Sequence, residues 1–198
     1  MEHLDAIIAA GLVVSFLLVE TVVSLRHERA LRARGAFEPP GDVHRWMQVA
    51  YPASLVAMIG EGLWRGGPAS PVWWTGLALF LASKALKVWA IAALGPLWSF
   101  RVLILPGQAL VSRGPYRFLR HPNYVAVAGE FLSVALMVGA AIAGPVAAVA
   151  FGWLLRRRIQ VEGKALAENG ELTACEQTGY RLQTAGFGKS FLERFPVA

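Results

Sequence analysis

The residues best suited to chemistry lie in one short segment near the middle of the chain. Its eleven residues include two tyrosines, two prolines and three arginine or histidine side chains. The prolines stiffen the backbone and restrict the residue before each of them. A rigid loop with cationic and aromatic groups suits an anionic, aromatic ligand, but a basic loop that anchors to lipid headgroups has the same composition. The segment reads Gly114-Pro115-Tyr116-Arg117-Phe118-Leu119-Arg120-His121-Pro122-Asn123-Tyr124.

A second polar cluster follows the last long apolar run. It consists of three consecutive arginines and, four residues after the last of them, a glutamate. Arg158 and Glu162 therefore share one face of a helix. Spacing alone favours a stop-transfer arginine cluster with a surface ion pair over a catalytic pair.

Four ionisable residues form a third set, because they lie inside otherwise apolar segments: Glu20, Lys84, Lys87 and Glu130. Ionisable groups at membrane depth are costly and usually face a bundle interior or a polar cavity. Glu130 follows Tyr124 by about two helical turns, so it would line the deep end of a pocket that His121 and Tyr124 open. Pairing of either glutamate with either lysine, for structure alone, is the competing interpretation.

The elements that must position these residues are membrane helices. The chain of 198 residues is 56% hydrophobic and 16% charged, with a mean hydropathy of +0.48, whereas soluble domains carry about 25% charged residues. A spanning helix needs about 20 apolar residues. The pattern predicts an all-α, polytopic bundle of about five transmembrane helices, at residues 6–25, 43–63, 72–94, 123–139 and 145–155. Pro52 predicts a kink in the second helix, and the fifth is expected to continue into the cytosol.

The basic residues predict the orientation of this bundle. Of nineteen Lys and Arg residues, five lie in residues 26–45, four in 95–121 and seven in 156–198. The positive-inside rule then places the N-terminus outside and the C-terminus in the cytosol, at the inner membrane if the protein is bacterial. The net charge of +6 thus reflects topology, and no nucleic-acid partner is expected. A single cysteine, Cys175, excludes an internal disulfide and a multi-cysteine zinc site, and no metal is predicted.

In this order, the polar segments resemble the isoprenylcysteine carboxyl methyltransferase family of membrane enzymes. The family pattern is Gly-Pro-Tyr-Arg, then Arg-His-Pro-x-Tyr, a helical hairpin, and Arg-Ile-x-x-Glu. Here these are Gly114–Arg117, Arg120–Tyr124 and Arg158–Glu162. The resemblance covers about residues 94–196. It implies N-terminal transmembrane helices in residues 1–95 and a methyltransferase core in 96–198, with a loop, a hairpin at 122–155 and a C-terminal helix.

The resemblance also implies a cytosolic pocket for S-adenosylmethionine and a role for each matching residue. His121 and Tyr124 would hold the cofactor's methionine end, and Glu162 would contact the cofactor. Arg158 would orient the acceptor, so Arg158 and Glu162 are the predicted catalytic residues. Three more residues would shape the cofactor pocket: Tyr116, Arg120 and Pro122. Glu130 is predicted to line the deep end of this pocket. Two positions depart from the family pattern: Ala126 replaces a frequent glycine, and Gly163 replaces a second glutamate.

The acceptor implied by the family is lipidic, and its chemistry decides whether a base is needed. An isoprenylcysteine-type carboxylate is already ionised at neutral pH, so positioning alone suffices. A lipidic phenol or pyrone would benefit from a general base, for which His121 and Glu162 are the candidates. A related bacterial branch with the Trp98-Ser99-x-Arg101 pattern fits the second acceptor class. The predicted partners are therefore a prenylated or lipidic substrate and membrane lipids, and nothing in the sequence indicates an oligomeric state.

Two alternatives remain open at this stage. Membrane sterol-type reductases have a similar Arg-His-Pro-x-Tyr pocket that holds NADPH, although they are larger and have more transmembrane helices. A membrane scaffold without catalytic activity is the other alternative, and it would bind no cofactor at all.

Overall fold

The computed structural model describes residues 2–68, 70–109 and 111–176, and for residues 2–6, 70 and 169–176 it describes the backbone alone. This part of the chain folds into five α-helices and contains no named strand. An isolated antiparallel bridge joins Phe37 to Ile104. The helices are α1 (Glu2–Ala33), α2 (His44–Arg65), α3 (Ser70–Leu94), α4 (Pro122–Val138) and α5 (Ala143–Glu176). The all-α prediction is therefore confirmed for the described residues.

Two helices are long and apolar enough to cross a membrane, over residues 7–33 and 71–97. Only 22% and 33% of their most apolar windows are buried inside the protein, which is unlike the core helix of a soluble protein. Large apolar side chains such as Leu18, Val56 and Trp89 lie exposed. A surface of this kind is stable in contact with lipid. Helix α4 is apolar but has 17 residues, so the crossing of all five helices stays a prediction.

The predicted boundaries are close except at α1. Helix α1 does not stop at residue 25 but continues to Ala33, because Arg and Glu are good helix formers outside the membrane too. It ends just before Gly35, which adopts a left-handed conformation with φ of 88°. Helix α5 runs without interruption from Ala143 to Glu176, so the predicted continuation of the fifth helix beyond residue 155 is confirmed, whereas its position in the cytosol stays a prediction.

The last two helices form a tight hairpin. Gly139 ends α4 in a left-handed conformation, with φ of 73°, which glycine adopts at no steric cost. The carboxylate of Glu61, from α2, accepts hydrogen bonds from Ile142 N at 3.0 Å and Ala143 N at 2.6 Å. It thereby satisfies amides at the start of α5 that no helical carbonyl can reach.

The bundle has two distinct ends. At the turn end, residues 66–69 join α2 to α3 and residues 139–142 join α4 to α5. At the loop end, residues 34–43 join α1 to α2 and the long segment 95–121 joins α3 to α4. Between them, the core is packed with large side chains, including Met58, Phe80, Phe131 and Met137. The polar residues singled out by the sequence lie at the loop end or just beneath it.

Candidate functional site

The loop between α3 and α4 is shaped by two short 3-10 helices, Gly95–Leu97 and Gly114–Arg117. Pro122 is the first residue of α4, a position where the missing amide hydrogen costs nothing. His121 precedes it, and its carbonyl accepts the amide of Tyr124 at 3.0 Å. These turns place His121 and Tyr124 side by side at the start of α4. Their rings stack, with centroids 5.3 Å apart and planes at 19°.

Tyr124 joins the two predicted catalytic residues. Its hydroxyl donates to Glu162 Oε2 at 2.6 Å and accepts from Arg158 Nε at 3.0 Å. Hydrogen bonds to charged groups are about twice as strong as neutral ones. The two motifs that the chain separates by more than thirty residues therefore meet in one hydrogen-bonded group. The stop-transfer interpretation, which spacing alone favours, does not account for this contact.

Arg158 is not a surface arginine, because only 6% of it is exposed. Its Nη2 donates to the carbonyl of Phe100. Its Nη1 has longer contacts, 3.7 Å to Asp42 Oδ1 and 3.8 Å to Met47 Sδ. Two of the three guanidinium nitrogens, Nε and Nη2, thus donate short hydrogen bonds within the protein. The third, Nη1, has no short contact among the described residues.

Asp42 is a site residue that sequence reasoning missed. Its carboxylate accepts the amides of His44 at 3.1 Å and Val102 at 3.2 Å, and it also faces Arg158. It therefore ties the start of α2 to the loop after α3. The available signal was an aspartate directly before the predicted second helix, since Asp is favoured where helix amides lack partners.

The loop after α1 is held against the loop after α3 by an ionic network. Arg101 Nη1 lies 3.0 Å from Glu38 Oε2, and its Nε lies 3.3 Å from Glu28. Burial of Glu38 opposes ionisation, but Arg101 and Arg32 outweigh this effect and lower the pKa of Glu38. Ser24 accepts the amide of Phe100 at 2.8 Å. These contacts fix the backbone of Phe100, whose carbonyl binds Arg158.

The remaining predicted pocket residues lie around this group at different depths. Tyr116 is half-buried, and burial together with the nearby Glu162 carboxylate raises the pKa of its phenol, so it stays neutral at physiological pH. Pro122 is fully buried at the base of the loop, whereas Arg120 is exposed. The structure brings His121, Tyr124 and Glu162 together. Tyr116 lies close enough to Glu162 for the negative charge of the carboxylate to raise the pKa of the phenol.

Glu130 lies deeper, in a buried group of four charges, which we call the ionic cluster: Glu20, Lys84, Lys87 and Glu130. Lys84 Nζ contacts Glu20 at 2.8 Å and Glu130 at 3.0 Å. Lys87 Nζ contacts the same two carboxylates at 2.6 Å and 3.2 Å. The structural pairing that the sequence left open is therefore observed, and it involves all four residues. Glu130 itself is 1% exposed and does not line the cavity described next.

A cavity of about 270 Å³ connects the two polar groups. Its upper wall is formed by Ser99, Phe100, Tyr124 and Arg158, and its floor by Glu20, Tyr51 and Lys87. Apolar side chains from α4 and α5 line the space between. Gln48 and Pro52 line it as well and are exposed on α2, so the cavity opens beside α2 at the surface of the bundle.

A second cavity, of about 360 Å³, lies near the turn end between α4 and α5. Its lining is formed by alanine, glycine and larger apolar residues, without an ionisable group among the described residues. It therefore offers no chemistry for a reaction.

The fold and the site together define a helical membrane protein whose polar site lies at one end of the bundle. A family model described as "Isoprenylcysteine carboxyl methyltransferase (ICMT) family" matches residues 76–168. This range contains α4 and the motifs around His121, Tyr124, Arg158 and Glu162. The chain belongs to this family, which makes it a membrane protein of a methyltransferase family.

Two uncharacterized relatives match most of the chain. The uncharacterized protein YpbQ of Bacillus subtilis is 31% identical over 150 residues, which is 75% of this chain and 89% of the relative. An uncharacterized protein of Haemophilus influenzae is 26% identical over 146 residues, which is 73% of this chain and 85% of the relative. No solved structure matches the chain.

Proposed function

We propose that the protein is an S-adenosylmethionine-dependent methyltransferase that O-methylates a lipidic acceptor at the cytosolic face of the membrane. The observation that carries this proposal is the hydrogen-bonded group of Tyr124, Arg158 and Glu162, of which Tyr124 and Arg158 form part of the upper wall of a cavity that opens beside α2. Family membership supports the methyl transfer, and the geometry supports the place where it occurs.

The residues present fit such a cofactor. S-adenosylmethionine carries an ammonium group, a sulfonium and a carboxylate, so it needs anionic, aromatic and cationic partners. Glu162 can accept from the ammonium group, and the stacked rings of His121 and Tyr124 provide aromatic faces that attract a cation. Asn123 Oδ1 lines the cavity, is buried, and has no hydrogen-bond partner among the described residues. A buried acceptor of this kind is stabilised by a ligand that donates to it.

When bound, the cofactor supplies an activated methyl group, so the protein mainly needs to position the acceptor and exclude water. Arg158 suits the positioning role because it lines the cavity and its Nη1 has only long contacts. Asp42 beside it offsets part of the positive charge. An acceptor oxygen is thereby aligned without being held so tightly that its nucleophilicity is lost.

The acceptor class decides the role of Glu162. A carboxylate acceptor needs no base, and Glu162 then serves to hold Tyr124 and the cofactor. A phenol or enol has a proton to lose, and Glu162 or His121 is placed to take it. In either case the hydrocarbon tail would leave the cavity beside Gln48 and Pro52, where it meets the acyl chains of the membrane.

Binding measurements test the proposal. Purified protein is titrated with S-adenosylhomocysteine and, separately, with NADPH. We expect S-adenosylhomocysteine to bind, and we expect His121→Ala and Tyr124→Phe to weaken it. Thr75→Val is the matched control for Tyr124→Phe, because it removes an exposed hydroxyl bonded to its own helix. Binding of NADPH alone would favour a reductase, and binding of neither would favour a scaffold.

The acceptor is sought by mass spectrometry. Lipid extracts are incubated with the protein and S-adenosylmethionine that carries an isotopically labelled methyl group. A labelled, lipid-soluble product whose yield falls by about tenfold or more with Glu162→Gln would identify the acceptor class. If only water-soluble molecules are labelled, the lipidic acceptor is refuted.

A further inference from the structure

The floor of the cavity is more polar than a pocket for a hydrocarbon tail requires. Glu20 and Lys87 are 7% and 3% exposed, yet both line the cavity. Burying charges is costly, and a pair of this kind contributes little to stability compared with apolar packing. Apolar side chains at these positions would suit a lipid tail better. The charged side chains of the floor therefore favour a polar ligand group over a hydrocarbon tail.

The two lysines of the ionic cluster differ in their access to the cavity. Lys84 contacts both carboxylates but does not line the cavity, and its ammonium group lies over the rings of Phe16 and Phe80. Lys87 makes the same two contacts on the cavity side. Lys84 is thus enclosed by protein, whereas Lys87 is the member whose ammonium group a bound molecule can reach.

The floor retains hydrogen-bonding capacity as an acceptor. An ammonium group has three donors, and Lys87 Nζ lies 2.6 Å from Glu20 Oε2 and 3.2 and 3.3 Å from the two oxygens of Glu130, so its donors are directed at the cluster. The Tyr51 hydroxyl donates to Glu130 Oε2 at 2.6 Å, which leaves its oxygen able to accept. Glu20 accepts from both lysines, and carboxylate oxygens have further lone pairs. The floor can therefore accept a hydrogen bond from a ligand hydroxyl.

The floor lies deeper in the bundle than the upper wall. Met47 Sδ lies 3.8 Å from Arg158 Nη1, and Tyr51 follows Met47 by four residues on α2. The two residues therefore share one face of the helix, and Tyr51 is about one turn deeper along it. A ligand group at the floor is thus distinct from the group that Arg158 aligns.

We propose that Glu20, Tyr51 and Lys87 form an acceptor subsite that binds a second hydroxyl group of the methyl acceptor, deeper in the cavity than the oxygen aligned by Arg158. This inference rests on the proposed function and extends it. The preferred acceptor carries two oxygens on one compact head, and its tail leaves beside α2. A head with a single oxygen makes no hydrogen bond to the floor, which weakens its binding.

The test compares two short-tailed probes that differ in one group: a butylphenol and the corresponding butyl dihydroxybenzene with a second hydroxyl meta to the first. Their dissociation constants are measured calorimetrically with purified full-length protein, in the presence of S-adenosylhomocysteine. Wild-type protein is expected to bind the dihydroxy probe about tenfold more tightly, the effect of one hydrogen bond to a charged group.

Two variants remove the subsite in different ways. Tyr51→Phe deletes one hydroxyl and keeps the ring and all charges. The double variant Glu20→Gln with Lys87→Met keeps the net charge of the cluster, so no lone charge is left buried. Ser133→Ala is the matched control, because it deletes a buried hydroxyl on α4 that bonds to the Glu130 carbonyl and does not line the cavity.

The proposal predicts that the tenfold preference falls to about twofold or less in both subsite variants and persists in Ser133→Ala. Equal binding of the two probes to wild-type protein overturns it, as does absence of binding by either probe. A preference that survives in both subsite variants overturns it too. The same samples separate the two levels of inference: if S-adenosylhomocysteine binds and the preference is absent, the subsite alone is wrong. If S-adenosylhomocysteine does not bind, the proposed function is wrong.

Discussion

Among the individual residues of the site, Arg158 lies at the centre, because its guanidinium contacts several of the others. It is buried and bonded to the Tyr124 hydroxyl and the Phe100 carbonyl, and it faces the carboxylate of Asp42. Glu162, by contrast, is half-buried, and its carboxylate accepts a hydrogen bond from the Tyr124 hydroxyl. The two predicted catalytic residues therefore differ in how much of the structure depends on them.

Replacement of these two residues should give different results. Arg158→Ala leaves the Asp42 carboxylate, whose side chain is 2% exposed, without its cationic partner. We expect a loss of about 3–5 kcal/mol in unfolding free energy, in addition to lost turnover. Glu162→Gln keeps size and a hydrogen-bond acceptor, so we expect turnover to fall by about tenfold or more with little change in stability. Thermal unfolding and methyl transfer, measured on the same samples, check both.

A melting temperature of Arg158→Ala equal to that of the wild type would contradict the role of Arg158 as the buried partner of Asp42. Normal turnover by Glu162→Gln would contradict the role of the carboxylate.

At the scale of elements, close contact between α3 and α4 keeps the ionic cluster together. Lys84 and Lys87 come from α3, and Glu130 comes from α4. One residue before Glu130, Gly129 faces Ser83 so closely that a methyl group at Gly129 would overlap the serine hydroxyl. A glycine here lets the two helices approach, so that lysine and glutamate reach each other across the interface.

Gly129→Ala is therefore expected to destabilise the protein by about 1–3 kcal/mol, the usual cost of overpacking a core. Adding Ser83→Ala should recover part of this loss, since it removes the overlapping oxygen and leaves the Ser83 Cβ at 3.3 Å. Gly11→Ala is the control, because nothing lies within 4 Å of the added methyl group. Thermal melts in detergent measure the series, and equal melting temperatures for Gly129→Ala and Gly11→Ala would refute the packing argument.

The link between the two loops of the loop end should depend on pH through Glu38. Its pKa is lowered in the folded state, so the unfolded chain binds the proton more readily. Stability from this group is then fully present above the unfolded pKa of about 4.3 and is lost as the pH falls through the lower folded value. Glu38→Gln should flatten the decline in melting temperature between about pH 5 and pH 3. A decline as steep as that of the wild type would show that other carboxyl groups determine it.

At the scale of the whole molecule, the cavity is built from both parts of the chain. Its floor comes from α1, α2 and α3, and its upper wall comes from the 95–121 loop, α4 and α5. The division into residues 1–95 and 96–198 stays a prediction, but neither part contains a complete cavity. The upper wall and the floor of the cavity are thus joined only in the assembled bundle.

The predicted orientation can be checked with two engineered cysteines in a Cys175→Ser background, which removes the chain's own thiol. Ala141→Cys lies exposed at the turn end, and Ser112→Cys lies exposed at the loop end. A membrane-impermeant maleimide should label Ala141→Cys on intact cells and Ser112→Cys only after permeabilisation. The reverse pattern would invert the topology, and labelling of both on intact cells would place both ends on one side.

Much of the site could be predicted because the family motifs are local in sequence. The Arg-His-Pro-x-Tyr segment needs only its prolines and the start of a helix to present His121 and Tyr124 together. Asp42, Tyr51 and Phe100 were missed because each lies far along the chain from its partner. Asp42 and Arg158, for example, are separated by 116 positions. Such pairs depend on how the helices pack, and no local pattern records that.

The sequence by itself determined the membrane character, the five helices and the identity of the main polar residues, because hydropathy and turn chemistry act over short stretches of chain. The tertiary structure decided which of those residues meet. Of the three consecutive arginines, Arg158 is buried, whereas Arg156 and Arg157 are exposed. The four charges that the sequence places apart lie together in the ionic cluster, whose net charge is zero. The physical reason is that a buried charge is stable only beside its partner, and helix packing determines which partner lies within reach.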